Sequence, residues 1–390
     1  MAAFPAEIVE SFLFYLDTGK DKETSLVSCA QVSQTWRSIA QRLLFAEVKI
    51  TAQSSKAEAF ANAITGSPHL SQLVNKLTFD VDNCTAPPLK STLDILQTLV
   101  HVRDLHFVKD SDVREFFPTS STGDAVWHPD LISALRITLS SPLLTNLGLS
   151  SLTLFPVSLF ASCTGLVHLV IDHCTFNGLD DVVTTSSPKA QPKAFWFATT
   201  VSRQAEFELL EWMMKPSAVL DLSQVEQLFV SNTSEEPRSY EIVCKFIAMV
   251  GPSIKQLLTG PSWDVPTTTF PAARLVKLNT LDISILPRNE TNAVEWAVNV
   301  LSCLAEPGLL EELTLQYRAP RASHIPELEP LDGCLSSGRF RNLKDLLVML
   351  YITPEQDGPA LVSMLRGMFP TLRTGCLRVN TYLTSGPLLA

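Results

Sequence analysis

A short pattern of apolar residues recurs along most of the chain and limits its fold more than any other feature. The pattern is an apolar residue, two further residues, Leu, one residue of any type and a second apolar residue. Because side chains alternate between the two faces of a strand, each copy predicts a strand with one buried face. Eight copies follow the pattern: Val74-Leu77-Phe79, Val102-Leu105-Phe107, Leu144-Leu147-Leu149, Leu166-Leu169-Ile171, Val225-Leu228-Val230, Leu278-Leu281-Ile283, Leu310-Leu313-Leu315 and Leu343-Leu346-Val348. Weaker copies are Ile254-Leu257 and Leu377-Val379.

Stretches with helical spacing of apolar residues lie between many of these copies. They are 56–64, 93–102, 130–139, 205–214, 240–250, 293–304 and 359–369. Adjacent copies are about 22 to 33 residues apart, which is typical of repeat proteins built from stacked strand and helix units. Residues 113–126 and 178–195 depart from the pattern and predict loops or insertions.

The repeat resembles that of leucine-rich-repeat proteins, in which the motif LxxLxLxxN/C supplies a strand and a helix returns on the convex side. The segment "LVHLVIDHC", residues 166–174, has the whole motif, with Cys174 at the Asn/Cys position. The resemblance implies an α/β fold. After a short three-helix segment we expect an irregular, arc-like solenoid with a parallel sheet on its concave face.

The first fifty residues contain more apolar surface than three short helices can bury. "VSQTWRSIAQRLLF", residues 32–45, is amphipathic, and helical patterns also cover 5–17 and 26–32. In "FLFYL", residues 12–16, five large apolar or aromatic side chains cover every side of a helix. Some of them must face outward unless the rest of the chain or a partner covers them.

Residues 4–45 resemble the F-box, the segment by which a ubiquitin-ligase receptor binds the adaptor Skp1. The resemblance rests on Phe4-Pro5 with Glu7-Ile8, on Leu16-Asp17, and on "SLVSCAQVSQTWRSIA", residues 25–40. The connection 17–25 is longer than in the shortest members of that family. The adaptor-binding residues that the resemblance implies are Phe4, Pro5, Ile8, Phe12, Leu16, Leu26, Val32 and Trp36. The alternative is that these helices only cap the domain that follows.

Together the two resemblances imply an F-box-like helical domain at 1–50 and a leucine-rich-repeat-like substrate-binding domain at 51–390. They imply a non-catalytic substrate-recognition adaptor of a Skp1-cullin-F-box type E3 ubiquitin ligase. Its partners would be a Skp1-like adaptor, through it a cullin, and a protein substrate. The alternative is a leucine-rich-repeat scaffold that binds proteins without a ligase.

The positions between the buried residues of each strand should line the exposed face of the sheet. They include six acidic residues but only one lysine, Lys76. The candidate substrate-binding residues on this face are Asp80, Asp104, His168, Asp172, Asp282, Glu312 and Asp345. We expect a protein ligand with basic character, the alternative being a solvated face on an acidic protein.

Charge and motifs argue against other classes of function. The chain has 390 residues, with 30 basic and 40 acidic side chains, so it has no overall basic surface for nucleic acid. The sequence contains no GxSxG, HExxH, GxGxxG or phosphate-binding loop. We therefore expect no enzyme and no cofactor. The nearest set of metal ligands is Cys163, His168, His173 and Cys174, but strand alternation places the two histidines on opposite faces.

The compartment is expected to be cytoplasmic, nuclear or both. The start of the chain lacks the basic and apolar order of a secretory signal, and the eight cysteines are scattered singly. Residues 137–171 contain no charged side chain, but prolines, glycines and polar residues interrupt the run. We therefore expect strands and turns there rather than a membrane span.

Overall fold

The computed structural model describes most of the chain and divides it into two compact units. The first unit is Met1–Val170 with Cys174–Ala190, and the second is Ile171–His173 with Gln191–Ala390. The described residues are 5–17, 21–52, 54–81, 88–109, 127–180, 189–198, 204–231, 237–260, 269–285, 290–318, 327–352, 358–372 and 376–383. We refer to these units as unit 1 and unit 2.

Unit 1 begins with three helices and continues with alternating strands and helices. Its helices are α1 (Ala6–Asp17), α2 (Lys22–Cys29), α3 (Gln34–Ala46), α4 (Ser55–Gly66), α5 (Lys90–Thr98) and α6 (Pro129–Leu139). Its strands are β1 (Glu47–Thr51), β2 (Lys76–Asp80), β3 (Asp104–Val108), β4 (Asn146–Ser150), β5 (Phe155–Pro156), β6 (His168–Asp172), whose last two residues belong to unit 2, and β7 (Phe176–Asn177). Strands β1 to β4 pair in sequence order and in parallel. A separate parallel pair is formed by β5 and β7.

Unit 2 repeats the same arrangement. Its strands are β8 (Ala194–Ala198), β9 (Gln227–Ser231), β10 (Gln256–Thr259), β11 (Thr280–Ile285), β12 (Glu312–Arg318), β13 (Asp345–Ile352) and β14 (Leu377–Leu383). Its helices are α7 (Gln204–Met213), α8 (Pro237–Val250), α9 (Glu290–Ser302), α10 (Glu329–Leu335) and α11 (Gly358–Gly367). All seven strands pair in sequence order and in parallel.

The repeated apolar positions form the core, as the sequence predicts. Every residue of the eight full copies is buried, and Leu343, the most exposed of them, has 8% of its surface accessible. Along β13 buried and half-buried residues alternate strictly. Each predicted helix is present, with ends that differ by only a few residues. The chain is therefore a leucine-rich-repeat-like α/β protein whose strands are parallel.

The structure also contains elements that the repeat pattern missed. In β8 the core positions are Phe195, which replaces the Leu of the pattern, and Phe197, so the predicted insertion at 178–195 is wrong at its end. Strand β1 was not predicted, and the expected boundary at residue 50 falls inside it. Helix α10 has a proline and a glycine among its seven residues, which weakens its sequence signal. The predicted loop at 113–126 lies outside the described residues.

The first three helices enclose a very small core. Its buried residues are Val9, Leu13, Leu26, Ile39 and Ala40. Helix α3 begins at Gln34 because the hydroxyl of Ser33 accepts a hydrogen bond from the backbone N–H of Trp36. Val32, predicted inside this helix, lies in the turn before it. At the far end of α3, Phe45 stacks on Phe60 of α4, with 6.2 Å between ring centroids.

Gly260, directly after β10, is needed because the neighbouring strand lies too close for a side chain. A Cβ at this position would collide with the backbone carbonyl oxygen of Ser284 in β11. We expect Gly260→Ala to lower the free energy of unfolding by about 1–3 kcal/mol. Gly66→Ala is the control, because its added methyl meets no described atom within 4 Å. Urea denaturation measures both, and equal stability of the two variants would contradict the prediction.

Among the described residues, none of the helices is both long enough and apolar enough to span a membrane.

Candidate functional site

The surface of α1, α2 and the turn before α3 exposes an unusual number of large apolar side chains. The exposed fractions are 57% for Ile8, 49% for Phe12, 63% for Phe14, 76% for Tyr15, 50% for Val27 and 64% for Val32. Single exposed apolar residues are ordinary on protein surfaces. A concentration of them within so short a segment indicates an interaction surface, and the predicted partial exposure of FLFYL is confirmed.

Helix α1 is apolar on two sides, and only one of them faces the core. Val9 and Leu13 are buried, with Leu16 packed beside them. Ile8, Phe12 and Tyr15 are spaced by four and three residues, so they share another side of the helix. Trp36 of α3 extends that side, because its ring contacts Phe12 edge-on with 5.8 Å between centroids. We call Ile8, Phe12, Tyr15 and Trp36 the outer stripe.

The predicted adaptor-binding residues separate into surface and core. Pro5, Ile8, Phe12 and Val32 are exposed, whereas Leu16 and Trp36 are half-buried. Leu26 is only 1% exposed and belongs to the core of the three helices, which argues against its predicted role in adaptor binding. Phe4 lies outside the described residues. The sequence reasoning did not single out Phe14, Tyr15 and Val27, although the surplus of apolar residues in FLFYL pointed to the first two.

On the sheet face of unit 1 the predicted acidic residues are largely engaged or covered. Asp104 accepts a hydrogen bond from the amide of Asn146 on the next strand. Lys76 is 3.4 Å from Glu47 of β1, a strand that the sequence reasoning omitted. Asp80 is only 4% exposed, which corrects its assignment to the ligand-binding surface. Val81 beside it is buried as well, so both faces are covered at this end of β2 and alternation no longer predicts exposure.

The histidines near this face do not form a metal site with the nearby cysteines. Burial raises the pKa of the Cys163 thiol to about 12, so its protonated form is favoured. His168 is exposed, whereas His173 Nε2 lies 3.3 Å from Asp172 Oδ1. Among the described residues, three or more His, Cys, Asp or Glu side chains nowhere gather closely enough to hold a metal ion.

The sheet face of unit 2 combines aromatic and charged side chains in registered rows. Trp196 of β8 stacks on Phe229 of β9, with 3.6 Å between ring centroids and 17° between planes. Trp196 keeps 44% of its surface exposed. The same row continues through Leu258 of β10 and Asp282 of β11. An aromatic surface and a carboxylate are therefore two strands apart, about 10 Å.

Two of the predicted acidic residues in unit 2 have no cation beside them in the part of the chain that the structure describes. Asp345 pairs with Arg378 of β14, whose Nε lies 2.8 Å from Oδ1. The sequence reasoning did not place Arg378 on this face, so its count of cations was too low. Asp282 and Glu312 form no ion pair with any described residue. This face is therefore acidic at β11 and β12 rather than along its whole length.

The ionised form of Asp282 is disfavoured in the folded state. Burial raises the pKa of this carboxyl, Glu312 raises it further, and the hydrogen bond from the Thr314 side chain opposes both effects. When folding raises the pKa of an acid, the ionised form costs stability above the folded pKa, and the cost disappears below the unfolded pKa. Ionised Asp282 therefore lowers the stability of the fold, and a ligand cation beside it would reduce that loss of stability.

We expect Asp282→Asn to stabilise the protein by less than about 1 kcal/mol at neutral pH. Asparagine keeps an acceptor for Thr314 and removes the repulsion from Glu312. The gain should shrink as the pH is lowered through the pKa of Asp282, since the wild-type side chain then becomes neutral too. Urea denaturation at several pH values measures it, with exposed Glu208→Gln as control. A destabilised or pH-independent variant would be inconsistent with this assignment.

Comparison with known proteins identifies no family for the chain. No family model matches the chain, and no curated protein matches it. A solved structure of a leucine-rich repeat-containing protein, LegL7 from Legionella pneumophila, is similar over 86% of this chain and 96% of that one. The sequence identity is 13% and the TM-score is 0.43. At that similarity the neighbour does not inform function, which has to be argued from the surfaces described above.

Proposed function

We propose that the chain is a non-catalytic adaptor that holds a protein substrate for ubiquitin transfer. In this proposal α1 to α3 bind a Skp1-like protein and through it a cullin, while the repeat region binds the substrate. The catalytic effect would be proximity, because holding a substrate lysine near a charged conjugating enzyme raises its effective concentration. The chain itself would need no reacting group and no cofactor.

The observation that carries the proposal is the exposed apolar surface of the first three helices. A helical cap that only closes a repeat domain would turn its apolar side chains inward and leave polar residues outside. Here Ile8, Phe12 and Val32 all face solvent, and each belongs to the set that the F-box resemblance implies. Binding of a partner would remove this surface from water, at a gain of about 25 cal/mol per Å².

Co-purification with Skp1 tests the proposal. The full chain and a chain with Ile8→Ser and Trp36→Ala are each co-expressed with Skp1, and the complex is measured by size-exclusion chromatography. We expect a stoichiometric complex with the natural chain and its loss in the variant. A folded chain that does not bind Skp1 would favour the alternative, a repeat scaffold without a ligase.

A further inference from the structure

The sheet face of unit 2 has the chemistry of a peptide-binding surface with two distinct parts. The exposed Trp196 stacks on the half-buried Phe229. Asp282 and Glu312 lie on the two adjacent strands β11 and β12, diagonally across from each other in the registered sheet. Leu258 lies between the two parts in the same row and is itself 9% exposed.

We infer that this face binds an extended substrate segment in which Arg or Lys lies two to four residues from a large apolar side chain. The inference rests on the proposed function, because it describes the substrate that the adaptor would hold. The apolar side chain packs on Trp196 and Phe229. The cation lies between Asp282 and Glu312.

The spacing of the strands sets the spacing of the peptide. Phe229 and Asp282 are two strands apart in one row, and adjacent strands are about 4.8 Å apart. An extended peptide that crosses the strands advances about 3.3 Å per residue. Three residues therefore cover about 10 Å, and the flexible stem of Arg or Lys accommodates one residue more or fewer.

Charge complementarity selects a basic ligand for this face. Asp345 is already neutralised by Arg378, which makes hydrogen bonds to both of its carboxylate oxygens. Asp282 and Glu312 are diagonal neighbours with no cation beside them among the described residues, and a ligand cation would offset their repulsion. Nucleic acid and anionic lipid would be repelled by the same two carboxylates.

The aromatic pair adds specificity that a simple acidic surface would lack. Aromatic rings supply a large contact area with only two side-chain torsions to fix, so they lose little entropy on binding. Trp196 is held in position by its stacking on Phe229, and its exposed part is available to an incoming apolar side chain. A peptide with a basic residue but no apolar one would use only half of this surface.

Selection from a library of short random phage-displayed peptides on the full chain tests the inference. We expect enriched peptides to contain Arg or Lys two to four residues from a large apolar residue. One such peptide, labelled with fluorescein, then gives dissociation constants by fluorescence polarisation. Asp282→Asn with Glu312→Gln should weaken its binding at least about tenfold. Trp196→Ala should weaken it by a similar factor.

The matched control is Glu208→Gln with Glu295→Gln, which removes two exposed carboxylates from helices α7 and α9 of the same unit. This pair should bind the peptide as the natural chain does. Enrichment of peptides without a basic residue, failure to enrich any peptide, or equal binding by both double variants would overturn the inference.

Skp1 binding is measured on the same variants, so failure of this inference and failure of the proposed function can be told apart. A chain that selects basic and apolar peptides without binding Skp1 would keep the peptide surface and lose the ligase role. A chain that binds Skp1 but selects no such peptide would support the ligase role and contradict the peptide surface. Urea denaturation confirms that each variant is folded.

Discussion

Changing Ile8 and Val32 to serine should weaken binding to Skp1 about 30-fold or more while leaving the fold intact. Each side chain exposes more than half of its surface. Full burial of an Ile or Val side chain contributes about 1.5–3 kcal/mol, so the exposed fractions of the two contribute about 2 kcal/mol together. That free energy corresponds to a factor of about 30 in the dissociation constant.

The stability of this double variant should change little. Substitutions at exposed positions usually alter the free energy of unfolding by no more than about 0.5 kcal/mol. Neither residue belongs to the core of Val9, Leu13, Leu26, Ile39 and Ala40. Titration calorimetry with purified Skp1 measures the affinity, and thermal unfolding measures the stability.

A matched control is available in unit 2. Val276 and Leu309 are exposed to 39% and 45%, and changing both to serine removes comparable apolar surface far from α1 to α3 in the sequence. This control should bind Skp1 as the natural chain does. Equal losses of Skp1 affinity in the two double variants would show that general apolar exposure governs binding. No loss of affinity in either variant would contradict the proposal that Ile8 and Val32 bind Skp1.

The repeat core could be predicted because each of its positions obeys a local rule. Leu281 and Leu313, for example, occupy equivalent positions in registered neighbouring strands, and both are fully buried. Period-two alternation along each strand is enough to identify them. Strand β8 escaped because Phe195 stands at the Leu position of the pattern and Pro192 at its first apolar position.

The charges on the sheet face could be predicted less well, because pairing across strands depends on register. Arg378 and Asp345 are neighbours only because β13 and β14 align residue 347 with residue 378. Asp80 follows the same alternation as Thr78, yet it is buried at the strand end. A sequence pattern assigns a face to each residue, but it does not show which neighbours cover or neutralise that residue.

Helices that are apolar on more than one side present the same difficulty. Leu26 and Val27 are adjacent and similar, but Leu26 is 1% exposed and Val27 is 50% exposed. Periodicity shows the width of an apolar stripe and not the direction of the core when two sides are apolar. Helix α1 is the clearest example, since Leu13 and Phe14 are neighbours with opposite environments.

The contrast between Leu13 and Phe14 predicts very different effects of their substitution on stability. Leu13→Ala should lower the stability of α1 to α3 by about 2–5 kcal/mol, because it removes a fully buried side chain and leaves a cavity. Phe14→Ala should change stability by no more than about 0.5 kcal/mol, because 63% of the side chain is already exposed. The larger residue thus has the smaller effect on folding.

Amide hydrogen exchange followed by mass spectrometry separates these two outcomes along the chain. With only five buried residues described in the core of the three helices, losing Leu13 should open these helices locally. Strands such as β3 and β12 have their own buried leucines and should keep their protection from exchange.

Faster exchange throughout the chain, or equal effects of the two substitutions, would mean that the three helices do not depend on a core of their own. In the proposed adaptor we expect Leu13→Ala to weaken Skp1 binding by unfolding the helices that present the surface, whereas Ile8→Ser with Val32→Ser should weaken it with those helices intact.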